Sequence, residues 1–232
     1  MNQNKREILT NGGYELKGQF MLGSNYTFLV DVHHEGETCP AVYKPSKGEQ
    51  PLWDFPDNTL ALREVAAYQL SEAIGYHIVP FTTYREDGPH GPGSLQEYIE
   101  YDIEYHYFNF TEEDKEKLRP VAVFDLLTNN ADRKGGHVFF DSETHKLHAI
   151  DHGICFHEYD KLRTVIWNFA GQKIPDELLT ALSLTDTWSN ILEPYLSPNE
   201  ISALIRRAEE LCKSKTFPHP QEGRRMFPYP PI

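Results

Sequence analysis

Two carboxylates bracket a short hairpin in the middle of this 232-residue chain, and that arrangement limits the architecture more than any other stretch of it. Asp132 lies in Asn129-Asn130-Ala131-Asp132-Arg133-Lys134-Gly135-Gly136-His137, and Asp151 in Ile150-Asp151-His152-Gly153. Between them the pattern predicts a strand from His137 to Asp141, a turn over Ser142 to His145 and a returning strand from Leu147 to Ile150. Such a pair suits phosphoryl transfer. One carboxylate orients or deprotonates an attacking hydroxyl while the other holds Mg²⁺ against phosphates, and little covalent chemistry is asked of the protein.

Upstream, β-forming residues alternate from Tyr14 to about Tyr43, broken by turns at Leu22-Gly23-Ser24-Asn25 and Glu35-Gly36-Glu37, which predicts three antiparallel strands. A Pro/Gly-rich connector (Pro45 to Pro56) leads to Asp57-Asn58-Thr59 as an N-cap and to an amphipathic helix from Leu60 to Ser71, closed by Gly75. Two further strands, Val79 to Tyr84 and Ser94 to Ile99, complete a five-stranded antiparallel sheet with one helix. Beyond Glu100 the chain turns helical. Helices are expected at Thr111 onward, Leu118 to Leu127, Asp176 to Leu184, Trp188 to Tyr195 and Pro198 to Lys213, the last behind a Ser197 N-cap. The expected architecture is α+β and bilobal: an N-terminal lobe over 1–100, a mainly helical C-terminal lobe over 101–216 and an extended tail over 217–232.

Composition excludes several partners. A formal net charge of -13 opposes nucleic-acid binding, which needs clustered Lys and Arg, and disfavours anionic membrane surfaces. No apolar run is long enough to span a bilayer and the first residues lack a signal peptide's apolar core, so a cytoplasmic protein without integral membrane association is expected. Cys39, Cys155 and Cys212 show neither a disulfide framework nor zinc spacing.

Lys44 ends an apolar strand and can point toward nucleotide phosphates, with Glu64 of the following helix fixing it. The Gly23-Ser24-Asn25 turn can lay backbone N–H groups over phosphates, although by default it is a hairpin turn. Arg133 and Lys134 flank Asp132 and can stabilise both its ionised form and a transferring phosphoryl group. Asp151, at a strand end before His152-Gly153, calls for a cation. The histidines at 137, 145, 148, 152 and 157 do not have the spacing of a helical zinc site, and only His137 falls where a second metal ligand is needed. Asp125 and Asn129 are expected to shape the loop, and Trp53, Trp167 and Trp188 to anchor packing.

With these residues in place, the chain resembles the atypical kinases of the phosphatidylinositol 3- and 4-kinase type and the HipA-type kinases, which share a D-R-x-x-x-N loop followed by D-x-G. More closely it resembles a small bacterial family of phosphatidylinositol 3- and 4-kinase-related proteins. The segments Val42-Tyr43-Lys44-Pro45, Pro51-Leu52-Trp53-Asp54-Phe55-Pro56, Arg63-Glu64-Val65-Ala66-Ala67-Tyr68, Asn130 to His137 and Ile150-Asp151-His152-Gly153 carry the likeness, which covers roughly Gly18 to Leu196. The resemblance implies Lys44 on the nucleotide phosphates paired with Glu64, Asp132 as catalytic base, Asp151 as the principal metal ligand, and Gln96-Glu97-Tyr98-Ile99 as a hinge meeting adenine through its backbone. His137 replaces the usual Asn, and imidazole suits Mn²⁺ better than Mg²⁺. The function expected is a kinase using ATP with Mg²⁺ or Mn²⁺ to phosphorylate a hydroxyl of a protein or small molecule in preference to a lipid. A nucleotide-binding pseudokinase and an adenylyl transferase are the alternatives.

Overall fold

Alternating burial along the first strands sets the sheet. The structure is a computed structural model that describes residues 3–20 and 26–232. Strands β1 (Gly13–Gln19), β2 (Phe28–His34), β3 (Glu37–Pro45), β4 (Thr82–Arg85) and β5 (Gly93–Glu97) form one antiparallel sheet in the order β1-β2-β3-β5-β4. Val30 and Val32 of β2, Ala41 and Tyr43 of β3, and Leu95 of β5 are buried on one face. Helix α1 (Gln3–Asn11), which the alternation pattern did not predict, covers that face with Ile8 and Leu9.

Helix α2 (Leu60–Ala73) follows the connector and stops before Gly75, whose φ of +72° suits a residue without Cβ. Its N-terminus is capped differently from expectation. The Thr59 hydroxyl bonds the Pro56 carbonyl, and the free N–H groups of Leu60 and Ala61 donate instead to the Glu49 carboxylate at 3.1 and 2.9 Å. The β4 and β5 strands come out shorter than predicted, and Gln96 and Glu97 lie inside the ladder.

The C-terminal part comprises α3 (Glu112–Glu116), α4 (Arg119–Thr128), the hairpin β6 (Val138–Phe140) and β7 (Leu147–Ala149), α5 (Asp176–Leu182), α6 (Thr185–Trp188) and α7 (Pro198–Ser214). The helix expected from Trp188 to Tyr195 is instead α6 followed by a single 3-10 turn at Asn190–Leu192. Ser197 caps α7 as predicted, with Glu200 reaching back to the Ser197 N–H in a capping box. Phe124 of α4, Trp188, Leu204 and Leu211 of α7, and Val138 and Phe140 of β6 share one core. Ala66, Ala67 and Leu70 of α2 belong to that same core, so α2 fastens the sheet to the helical part. Burying a side chain such as Phe124 contributes about 2–3 kcal/mol. Of the tryptophans, Trp188 is fully buried, Trp167 half-buried and Trp53 92% exposed, so Trp53 is no packing anchor.

Arg63 strengthens the fastening. Buried on α2, it donates to the Cys155 carbonyl at 2.7 Å, pairs with Glu200 of the α7 capping box and lies 4.8 Å from the Phe55 ring. Removing one partner of a buried pair leaves the other charge uncompensated, at a cost of about 3–5 kcal/mol. Arg63→Met is therefore expected to lower Tm by on the order of 10 °C in thermal melting, and an unchanged Tm would contradict this role.

Candidate active site

Helix α4 ends on Asn129, whose φ of 55° turns the chain out of the helix and into the loop that carries Asp132. The Asn129 amide holds that exit by donating to the carbonyls of His157 and Tyr159 and accepting from the Lys161 N–H. The Asn130 side chain accepts the Asp132 N–H at 2.9 Å and donates to Asp125 at 3.1 Å. Residues 130–133 are then paired with a parallel extended segment: Arg163 N–H donates to the Asn130 carbonyl, Arg133 N–H to the Arg163 carbonyl and Val165 N–H to the Arg133 carbonyl.

Arg133, expected to stabilise ionised Asp132 and a transferring phosphoryl group, has its guanidinium turned away to other partners. It is fully buried, with Nε 3.0 and 3.1 Å from the two Asp125 oxygens, Nη1 donating to the carbonyls of His137 (3.2 Å) and Ile150 (2.6 Å), and Nη2 2.7 Å from His152 Nε2. Every arm of the guanidinium is thus occupied by protein, and the residue positions the loop and the D-x-G turn. Since arginine only donates, His152 Nε2 accepts and its proton sits on Nδ1.

At the lobe junction four side chains converge. Lys44 Nζ lies 2.5 Å from Glu64 Oε1 and 2.9 Å from Asp151 Oδ1. The other Glu64 oxygen accepts the His152 N–H at 2.9 Å, so one carboxylate fixes both the lysine and the D-x-G backbone. Asp151, at a φ of 61° that Asp tolerates better than most residues, turns its second oxygen to His137 Nε2 at 3.2 Å. Burial alone would lower Lys44, but the Asp151 and Glu64 carboxylates outweigh it and raise its pKa. Burial would raise Asp151, yet Lys44 and His137 hold it well below the usual carboxylate range. Asp132 is raised, chiefly by burial and further by Asp151, against the opposing charges of Lys134 and Arg163. Lys134 Nζ lies 3.4 Å from Asp132 Oδ2.

The segment expected to act as a hinge, Gln96 to Ile99, is placed less simply than that expectation. The N–H groups of Glu97 and Tyr98 already donate to the carbonyls of Phe81 and Pro40, and the Gln96 and Glu97 side chains bond Thr82 and Lys5. Ile99 is the first of the four residues beyond this ladder. Gly23, Ser24 and Asn25 lie outside the described residues.

Among the described residues no cluster of three or more His, Cys, Asp or Glu could hold a metal alone. Asp151 Oδ2 and His137 Nε2, 3.2 Å apart, are the two side-chain groups at this junction that could face one. Burial lowers His137 to about 4, so the imidazole is neutral at physiological pH.

No family model matches the chain. A curated relative, Protein Rv2133c of Mycobacterium tuberculosis, is 35% identical over 270 aligned positions, covering 99% of this chain and 96% of the relative. The chain belongs to the Rv2133c family. Among solved structures, the crystal structure of the Helicobacter pylori proinflammatory kinase CtkA matches with a TM-score of 0.57 at 14% identity, over 89% of this chain and 93% of that one. At that identity the match shows the fold, which is kinase-like. No helix among the described residues is long and apolar enough to cross a membrane.

The buried imidazoles give a stability test. His137 and His148 are each lowered to about 4 by burial, whereas an unfolded imidazole titrates near 6.5. Between those values the unfolded state binds protons that the native state does not, so stability is lost as the pH falls from about 6.5 toward 4. Melting curves across roughly pH 7.5 to 5 should show Tm declining below about 6.5, less steeply in His148→Asn; a flat profile in the wild type would contradict neutral buried imidazoles.

Proposed function

We propose that this protein is a phosphotransferase that moves the γ-phosphate of ATP to an alcohol acceptor, with Asp132 as the base. The observation that carries the reading is the Lys44 ammonium held between Glu64 at 2.5 Å and Asp151 at 2.9 Å, beside the loop that presents Asp132. A phosphate chain entering here meets Lys44, oriented by Glu64. Asp151 and His137 would hold Mg²⁺ or Mn²⁺, which when bound neutralises phosphate charge; the imidazole favours Mn²⁺. Asp132 accepts the acceptor's hydroxyl proton as the oxygen bonds to the γ-phosphorus and the bond to the β-phosphate oxygen breaks, releasing ADP. Its raised pKa makes it a better base than an ordinary aspartate, and Lys134 balances its charge. Arg133 acts through position alone.

The likeness to phosphatidylinositol 3- and 4-kinase-related and HipA-type proteins supports hydroxyl phosphorylation, and the net charge of -13 favours a protein or small-molecule acceptor over a lipid surface. Residues 1–100 would form the nucleotide lobe and 101–216 the catalytic lobe, with the hinge backbone available to adenine from Ile99 onward. Tail residues 217–232 run along the catalytic lobe: Met226 is buried and its carbonyl accepts from Thr164 N–H, while Pro231's accepts from Gly135 N–H.

With γ-labelled ATP and Mg²⁺ or Mn²⁺, autophosphorylation or hydrolysis should fall by roughly 10²-fold or more in Asp132→Asn. Asp151→Asn should abolish it, and the wild-type rate should decline on the acid side above the ordinary Asp range. Retention of full activity by both folded variants would refute the reading. Label transferred from the α-phosphate instead would select adenylyl transfer, and nucleotide binding without turnover a pseudokinase.

A further inference from the structure

The loop bearing Asp132 and the segment bearing Arg163 are in parallel register, and that register has a consequence for the acceptor. Arg133 pairs with Thr164, so Asp132 and Arg163 occupy the preceding position on each strand, close enough for the Arg163 charge to act on the Asp132 carboxyl. The Arg163 side chain is half-buried, yet among the described residues it makes no hydrogen bond and no close ion pair. This is unusual for the molecule. The other buried or half-buried cations are each matched: Lys44, Arg63, Arg85, Lys115, Arg119, Arg133, Lys134 and Lys161 with carboxylates, Arg207 with backbone carbonyls. Just before Arg163 in the chain, Lys161 pairs with Asp54 at 2.9 Å, and Asp160 with Arg224 of the tail at 2.6 Å.

A chain with 35 acidic residues against 22 basic ones does not lack carboxylates to offer this guanidinium. Partial burial without a partner costs solvation, and a planar donor fork is suited to taking a carboxylate or phosphate in two parallel hydrogen bonds. Its place beside the base puts that anion next to the hydroxyl to be phosphorylated.

We propose that Arg163 is a specificity-determining residue that binds a carboxylate or phosphate on the acceptor adjacent to the reacting hydroxyl, an inference that rests on the phosphotransfer reading. The anion belongs either to an acidic flank of a peptide or to a small hydroxylated acid or phosphate ester, and both present the same group. Elsewhere the protein's own negative charge repels such acceptors, which makes the unpaired arginine beside Asp132 the point where they can be held.

The test uses the full chain as wild type, Arg163→Glu and Arg163→Lys. Probes are fluorescent Ser/Thr/Tyr peptides with Glu-rich or Lys-rich flanks, and glycerate and glycerol phosphate beside glycerol. Transfer from γ-labelled ATP is measured on all of them, peptide binding by anisotropy and small-probe binding by calorimetry, both with a non-hydrolysable ATP analogue present. The wild type should favour either the Glu-flanked peptides or the anionic alcohols over their counterparts by about tenfold or more. Arg163→Glu should abolish that preference through the acceptor KM, and Arg163→Lys should restore part of it. Which probes are preferred tells peptide from small molecule. No charge preference, a preference unchanged in Arg163→Glu, or an effect confined to the KM for ATP would overturn the inference. The binding measurements decide it even if no phosphate is transferred, whereas absence of any γ-phosphate transfer or hydrolysis counts against the phosphotransfer reading.

Discussion

Arg133 and Asp125 form an ion pair with no solvent exposure on either side, and the candidate site is organised around it. Burial raises the Asp125 carboxyl, while Arg133, the Thr164 hydroxyl and the Asn130 amide oppose that effect by favouring its charged form. The guanidinium reaches the carbonyls of His137 and Ile150 and the ring of His152, so one side chain ties α4, the Asp132 loop, the hairpin's two ends and the D-x-G turn together. Replacing such a pair by apolar residues is often neutral for stability, but removing one partner strands a buried charge. The benefit of the pair is geometric: it sets where Asp132 and Asp151 stand relative to each other.

A second tie connects this C-terminal framework to the sheet. Glu64 grips Lys44 with one oxygen and the His152 N–H with the other, while Arg63, the residue before it, reaches Cys155 and Glu200. Two neighbouring charges on α2 therefore fix Lys44 and the lobe contact together. Ala66, Ala67 and Leu70 of α2 back these contacts from the larger core.

Much of this was legible in the sequence, for identifiable reasons. Period-two alternation disclosed the sheet, and the order strand, lysine, helix glutamate pointed to the pairing of Lys44 with Glu64, which stand 2.5 Å apart with Asp151 beside the lysine. Contacts between distant segments were not legible. Nothing local marks Glu49 as the cap of α2, and α1 is a short polar helix whose two apolar anchors, Ile8 and Leu9, matter only once the sheet exists. Arg133 was misplaced because its neighbours are polar and its four partners, Asp125, His137, Ile150 and His152, come from other elements. Adjacency to Asp132 suggested a group that stabilises its charge, whereas the alternating backbone direction turns Arg133 inward. Likewise, where the β5 pairing stops before Ile99 depends on strand register, which composition does not fix.

The central claim is that Lys44, Asp151 and His137 form a metal-dependent nucleotide site. Calorimetric titration of ATP into the wild-type protein and Asp151→Ala, with Mn²⁺, with Mg²⁺ and with chelator, tests it most directly. Binding that requires the cation, is stronger with Mn²⁺ and is lost in a folded Asp151→Ala variant is the predicted result. Equal binding with and without metal, or undiminished binding in the variant, would contradict it.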